Sequence, residues 1–341
     1  MSRLLMLLLG VFLFAFTGCS TIWAQAMAGR MTDSLLSMES YRGRLVQQGL
    51  LPDAPGTPVV QDVVYAKPWR VRAEVMAPAA YKGSLFVYDG EQMLMWWPQE
   101  LMGIRVRGLK NPSRDEIAAH VQREMKNAME HYAFALTEGQ KVAGHEVSRW
   151  RVLPLAEAPY RLHHTSWNYD RYAFPLKMEF QESGKPWYSY AFEKIEFGVP
   201  VQDSEFAFTF PENAVVFEWD MQAPGISLEE ARRKMNFTVM QPKKLPDGHA
   251  LRKIVRAEHC LPMIALQFDR GASLITLTQS RAYGPGQVPR YGKPVKIGDS
   301  TGWLYFAGTT TVISWVRDKT ALTLMGNLSF PQMISIARSV E

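Results

Sequence analysis

The stretch from Lys67 to Pro98 constrains the fold more than any other part of the chain. It opens KPWRVRAEV, in which Trp69, Val71, Ala73 and Val75 alternate with Arg70, Arg72 and Glu74. A period of two marks a strand with one face in a core and the other in water. After Pro78 comes LFVYDGEQMLMWW, an apolar run, an Asp89-Gly90 turn signal and a second apolar run. That pattern predicts a hairpin whose arms are too apolar to leave either face fully wet. Such strands need a cover, and whether it is protein or ligand is the functional question.

With 341 residues the chain is long enough for two domains with cores of their own. A hydrophobic content of 47% and an aromatic content of 12% exclude a disordered protein. The formal charge of +5 is spread along the chain. It permits contact with anionic lipid, but no zinc-knuckle, recognition-helix or RNP-type pattern accompanies it, so nucleic acid is not an expected partner. The cysteines are Cys19 and Cys260. If Cys19 is consumed in processing, Cys260 has no partner and no disulfide staples the fold.

Met1–Cys19 has the layout of a secretory signal: Arg3, the apolar run Leu4–Phe16, then Thr17-Gly18-Cys19. Small residues before that cysteine resemble the lipobox of bacterial lipoproteins, although Phe16 replaces the usual leucine. The resemblance implies lipidation at Cys19 and an anchor in a membrane; Ser20 after it points to the outer membrane. An ordinary signal peptide and an uncleaved membrane anchor remain alternatives. All three place the body of the protein outside the cytoplasmic membrane, in the periplasm or cell envelope.

Residues 24–40 predict a helix with Met27, Met31, Leu35 and Met38 near one face. Strands follow at Tyr41–Gln48 and Val59–Tyr65, separated by a Pro-rich loop. Ser113-Arg114-Asp115-Glu116 is a capping box, starting a helix that runs to about Tyr132. Its stripe of Ile117, Val121, Met125 and Met129 predicts one apolar face with the charges opposite. Further strands are expected at Glu146–Pro154, His163–Asp170, Leu176–Gln181, Trp187–Phe197 and Phe206–Phe210, and Pro224-Gly225 marks a linker. Beyond it, capping boxes at Ser227 and Ser329 bracket several more strands.

The order of an extended strand, Lys67-Pro68, an aromatic-basic strand, Pro78, then Asp89-Gly90 leading into Met93–Pro98 resembles the LolA/LolB/RseB superfamily of periplasmic lipoprotein carriers and RseB/MucB regulators. Tyr169-Asp170 through Pro175-Leu176-Lys177 resembles the second half of that family's pattern. SLEEA, LPDGH and GNLSFPQMISIARSV are similar to the RseB-like carboxy-terminal domain. The resemblance implies an α+β protein: an unclosed antiparallel β-barrel with a helical lid, followed by a smaller α+β domain. It divides the chain into a signal at 1–18, an open barrel at 19–222 and a carboxy-terminal domain at 223–341. The lid would be the helix carrying Ile117, and Lys67 a basic residue near the mouth.

On this frame the hollow would be lined by Trp69, Val71, Val75, Leu85, Val87, Met93, Met95, Trp97, Met178 and Phe180, with Tyr190 and Phe192 nearby. These supply enough apolar surface to hold an acyl chain by burial alone, or a fully filled core. Four Arg-x-Arg pairs, Arg42/Arg44, Arg70/Arg72, Arg105/Arg107 and Arg149/Arg151, each project two guanidiniums from one face of a strand. The expectation is a basic outer face, solvated or turned to anionic headgroups or an acidic partner.

Chemistry is hard to find. GxSxG, HExxH, GxxxxGK[ST] and dinucleotide GxGxxG motifs do not occur. His163-His164 would point to opposite faces of a strand, and His259-Cys260 has no second pair to complete a metal site. No catalytic residue, cofactor or metal is expected. The sequence reads as a non-enzymatic envelope lipoprotein that captures an acylated ligand, a lipoprotein or lipid. The alternative is an RseB-like sensor contacting an anti-sigma factor or another envelope protein, in sigma-factor regulation.

Overall fold

The computed structural model describes residues 21–51, 54, 56–155, 162–182, 184–257, 262–270, 273–282, 288, 292–307 and 310–341. Cys19, Cys260, His259 and the signal segment lie outside them. In chain order the first elements are α1 (Thr21–Leu36), β1 (Ser40–Gln48), β2 (Val59–Ala66), β3 (Arg70–Ala77) and β4 (Leu85–Tyr88). Next come β5 (Met93–Trp97), β6 (Met102–Arg107), α2 (Arg114–His131), β7 (Tyr132–Val142), β8 (His145–Pro154) and β9 (Leu162–Tyr169). Then follow β10 (Phe174–Glu182), β11 (Lys185–Phe197), β12 (Val215–Asp220), α3 (Leu228–Lys234), β13 (Ala250–Arg256) and β14 (Met263–Arg270). The chain ends with β15 (Ser273–Arg281), β16 (Lys293–Ile297), β17 (Ser300–Ala307), β18 (Thr310–Arg317), β19 (Thr320–Gly326) and α4 (Phe330–Arg338).

Two compact units emerge. One joins Pro112–Ala207 to the preceding chain up to Asp89; the other joins Gly90–Asn111 to Phe208–Glu341. In the first, nine strands run in the order β4-β3-β2-β1-β11-β10-β9-β8-β7, all neighbours antiparallel where their register is defined. This run is not closed, because β7 pairs only with β8. It is strongly curled. In a flat sheet β8 would sit about 14 Å from β11, three strand spacings away. Instead His145 Nε2 on β8 lies 3.1 Å from the Ile195 carbonyl oxygen on β11. Bulges between Arg44 and Leu45 and between Pro175 and Lys177 supply local bending. The open antiparallel sheet with its few helices, and the second sheet beyond it, match the expected α+β class.

The other unit holds two sheets. A ribbon β12-β6-β5 pairs β12 parallel to β6, through Val215↔Met102 to Asp220↔Arg107. Gly103 on β6 makes room for an aromatic: a side-chain carbon there would sit 2.3 Å from the Phe210 ring. Phe210 and Phe208 in turn pack on Trp96. The seven-stranded sheet runs β13-β14-β15-β19-β18-β17-β16, antiparallel throughout. α4 covers it with Phe330, Met333, Ile334 and Ile336 buried. The Ser113, Ser227 and Ser329 caps all form, with Ser227 Oγ accepting from the Glu230 amide at 3.0 Å.

Local expectations fail at three places. Phe206–Phe210 is not a strand; a 3-10 turn occupies Asp203–Phe206 and extended chain follows. β7 was not anticipated, because LTEGQK carries no alternation of apolar and polar residues. β12 was also missed as a strand, since its partner β6 lies far away in sequence.

Candidate functional site

The inside of the curl is an apolar cluster centred on Tyr41. Its ring stacks on Tyr65 at 5.4 Å between centroids and meets Phe174 at 5.2 Å, Phe197 at 6.0 Å and Phe192 at 6.1 Å. Val63 and Val71 join from β2 and β3, Val147 and Trp167 from β8 and β9, Leu176 and Ile195 from β10 and β11. Gly43 lets the ring of Phe192 lie directly on β1, since any side-chain carbon there would be 2.7 Å from it. Burial drives the Tyr41 phenol far above its ordinary pKa, with the Tyr65 phenol adding to the rise. Burial likewise pushes Tyr65 up to about 12. The Tyr41 hydroxyl is buried and has no hydrogen-bond partner among the described residues. An unmet buried polar group costs about 1–3 kcal/mol.

Cover comes from one side. Leu35 and Met38, at the end of α1 and just beyond it, belong to the cluster. Around them Leu45, Phe86, Tyr169, Tyr172 and Phe197 pack on the cluster but keep part of their surface in solvent. Tyr169, Tyr172, Phe197 and His145 form a continuous aromatic rim, with centroids 4.9–5.7 Å apart.

The expected lid helix is α2. It packs against α1, tied to it by Arg114 donating to Asp33 at 2.9 and 3.1 Å. Ile117, Val121 and Met125 are buried and Met129 half-buried. Its charges are not all opposite, however: His120 and Glu124 are buried too, on the same side at helical spacing. Burial pushes the pKa of the Glu124 carboxyl up to about 7, against the pull of the Arg123 charge. The helix that contributes directly to the Tyr41 cluster is α1 rather than α2.

Of the ten side chains expected to line the hollow, this cluster contains Val71. Leu85 and Val87 pair across the ladder with Glu74 and Arg72, so they share the arginine face and not the Val71 face. Trp69 is buried in the turn between β2 and β3, at a φ of +69°. Val75 is buried at the far end of β3. Met178 and Phe180 oppose Tyr190 and Tyr188 on β11. Phe180 stacks on His164 at 5.6 Å, and burial lowers the pKa of that histidine to about 4, which keeps it neutral. Met93, Met95 and Trp97 share one face of the β5–β6 ribbon in the other unit. The residues missed, Tyr41, Leu45, Phe174 and Phe197, carry a signal only in β1, where Tyr41, Gly43 and Leu45 alternate.

The arginine pairs differ sharply from one another. Arg44 donates to both oxygens of Asp62 at 2.8 and 2.9 Å, and that hydrogen bond holds the Asp62 carboxyl below its usual range. Arg42 donates to Glu205 at 2.6 Å, which lowers Glu205 in the same way. Arg70 pairs with Asp203 and lies over the Phe206 ring; Arg72 donates to Glu74 at 2.8 Å. In the other unit Arg105 and Arg107 share Glu218. Lys67 pairs with Glu39 at 2.8 Å. Of the eight, Arg149 and Arg151 have no acidic partner among the described residues. Among the described residues no cluster of His, Cys, Asp or Glu could hold a metal ion, and no helix is long and apolar enough to cross a membrane.

This chain has an open, curled antiparallel sheet around an aromatic cluster, and a second antiparallel sheet. It is similar in fold to MucB, at 14% identity over 94% of this chain and 98% of that one, with a TM-score of 0.47. The Pseudomonas aeruginosa MucA/MucB complex gives 14% identity, 93% and 98% coverage and a TM-score of 0.46. A LolA superfamily protein from Nitrosomonas europaea matches over 54% of this chain and 97% of its own, at 11% identity and a TM-score of 0.27. No family model and no curated protein matches the sequence.

Proposed function

We propose that the curled sheet captures an acyl chain, making the protein a non-catalytic binding module of the cell envelope. The observation that carries this reading is the incomplete cover. A tightly curled sheet presents an aromatic cluster whose helix, α1, leaves Leu45, Phe86, Tyr169, Tyr172 and Phe197 partly wet. A chain lying on those side chains would complete the burial. A 16-carbon chain contributes on the order of 10 kcal/mol before ordering costs, with no polar group required. The unmet Tyr41 hydroxyl offers one polar contact inside the same cluster. Lid movement by α2, anchoring through Cys19 and the division at 222/223 belong to the same proposal.

The test is to purify the full chain from its native envelope and analyse what accompanies it. Lipid or lipopeptide near one per chain supports acyl capture. A stoichiometric envelope protein in place of lipid would support the sensor reading instead.

A further inference from the structure

We propose that Arg149, Arg151 and Lys177 form an oxyanion site, which takes a phosphoryl group, on strands β8 to β10. Six of the eight arginines in Arg-x-Arg pairs are ion-paired, so an acidic side chain already offsets each of those charges, although Arg70 Nε, like Arg149 Nε, is buried with no hydrogen-bond partner among the described residues. The Arg149/Arg151 pair is built differently. The Arg149 guanidinium lies 5.3 Å from the centre of the Trp167 ring, and Lys177 Nζ lies 4.4 Å from the same centre. A ring face attracts a cation through its quadrupole but consumes none of its N–H donors. Arg149 Nε is buried and has no hydrogen-bond partner among the described residues. Arg151, two residues along the strand, is exposed.

The local charge balance points the same way. Lys177 is held by Glu179 at 2.8 Å, which offsets one of the three cations; among the described residues no ion pair offsets the other two. Trp167 is fixed beneath them: it is buried in the Tyr41 cluster and its indole N–H donates to Gln140. A guanidinium held over a fixed ring has less freedom left to order, which suits the bidentate recognition of an oxyanion. The ligand chemistry is therefore an oxyanion, and the one proposed is a phosphoryl group, free in solution or carried by a lipid headgroup. This inference does not need the acyl reading, since phosphate alone is a ligand for it.

The experiment titrates the full chain, held in neutral-detergent micelles, with inorganic phosphate and separately with phosphatidylglycerol added to the micelles. Calorimetry reads the binding. Saturable binding of phosphate identifies a free anion as sufficient; binding of phosphatidylglycerol alone identifies the headgroup as the source, and both support the site. Arg151→Gln and Arg149→Gln/Arg151→Gln should each weaken that binding, the double variant by about tenfold or more. Arg42→Gln/Arg44→Gln, whose partners are already satisfied, should leave it unchanged. No saturable binding of either ligand, or equal loss in the Arg42/Arg44 variant, overturns the proposal. Circular dichroism of each variant separates lost binding from lost folding.

Discussion

The seven-stranded sheet and the curled sheet bury their apolar side chains differently. In the former, Ile264, Leu277, Leu304, Ile313, Trp315 and Leu324 are wholly shielded, and α4 presses Met333 against Gly326. In the latter, α1 brings Leu35 and Met38 onto the cluster, yet large side chains at the rim keep solvent contact. Both sheets come from equally apolar strands, so strand composition does not explain the contrast. The difference lies in the cover: one helix with a fully apolar buried face closes its sheet, while the other covers part of a curl. The second arrangement leaves a cluster of aromatic rings at its rim for something else to bury.

Four variants would break or sharpen that contrast. The largest effect is expected at the sealed sheet, where Leu277→Ala should cost about 4 kcal/mol in urea unfolding. Next is Glu124→Gln on α2. A carboxyl with a folded pKa near 7 keeps its proton in the fold while the unfolded chain loses it above about 4.5. Wild-type stability therefore falls as pH rises between those values. Glu124→Gln should match wild type at pH 4 and exceed it by about 3 kcal/mol at pH 8. The half-buried His164, with its pKa lowered to about 4, works in the opposite direction and loses its contribution as pH falls from about 6.5. It is present in both proteins, so their difference reports Glu124. A constant difference at all pH values would show that Glu124 is not shielded.

Smaller again is Phe86→Ala at the rim, expected to cost about 1 kcal/mol because its surface is already partly wet. A loss as large as that of Leu277→Ala would mean the curl is an ordinary sealed core. The smallest effect is expected for Arg42→Gln, which removes a solvent-exposed ion pair and should leave the urea midpoint almost unmoved.

Much of the scaffold was legible in the residues. The alternation of Val71, Ala73 and Val75 against Arg70, Arg72 and Glu74 placed β3 and its two faces. The serine caps located α2, α3 and α4. The lining of the curl was much less legible, for two physical reasons. A bulge shifts which residues oppose each other, so pairing beyond Pro175/Lys177 cannot be read from alternation along β10 alone. Register across a hairpin is set by the turn, and here Val71↔Tyr88 sends Leu85 and Val87 to the arginine face. Partnering of charges was also invisible: Glu205 and Asp203, which neutralise Arg42 and Arg70, lie far along the chain in a 3-10 turn.

Titrating the full chain with an environment-sensitive fluorescent fatty acid tests the acyl-capture reading most directly. The incompletely covered cluster should saturate at one probe per chain, and Phe86→Ala should weaken that binding while leaving the chain folded. A wild-type protein that shows no saturable fluorescence, under conditions where the probe itself is soluble, would contradict it.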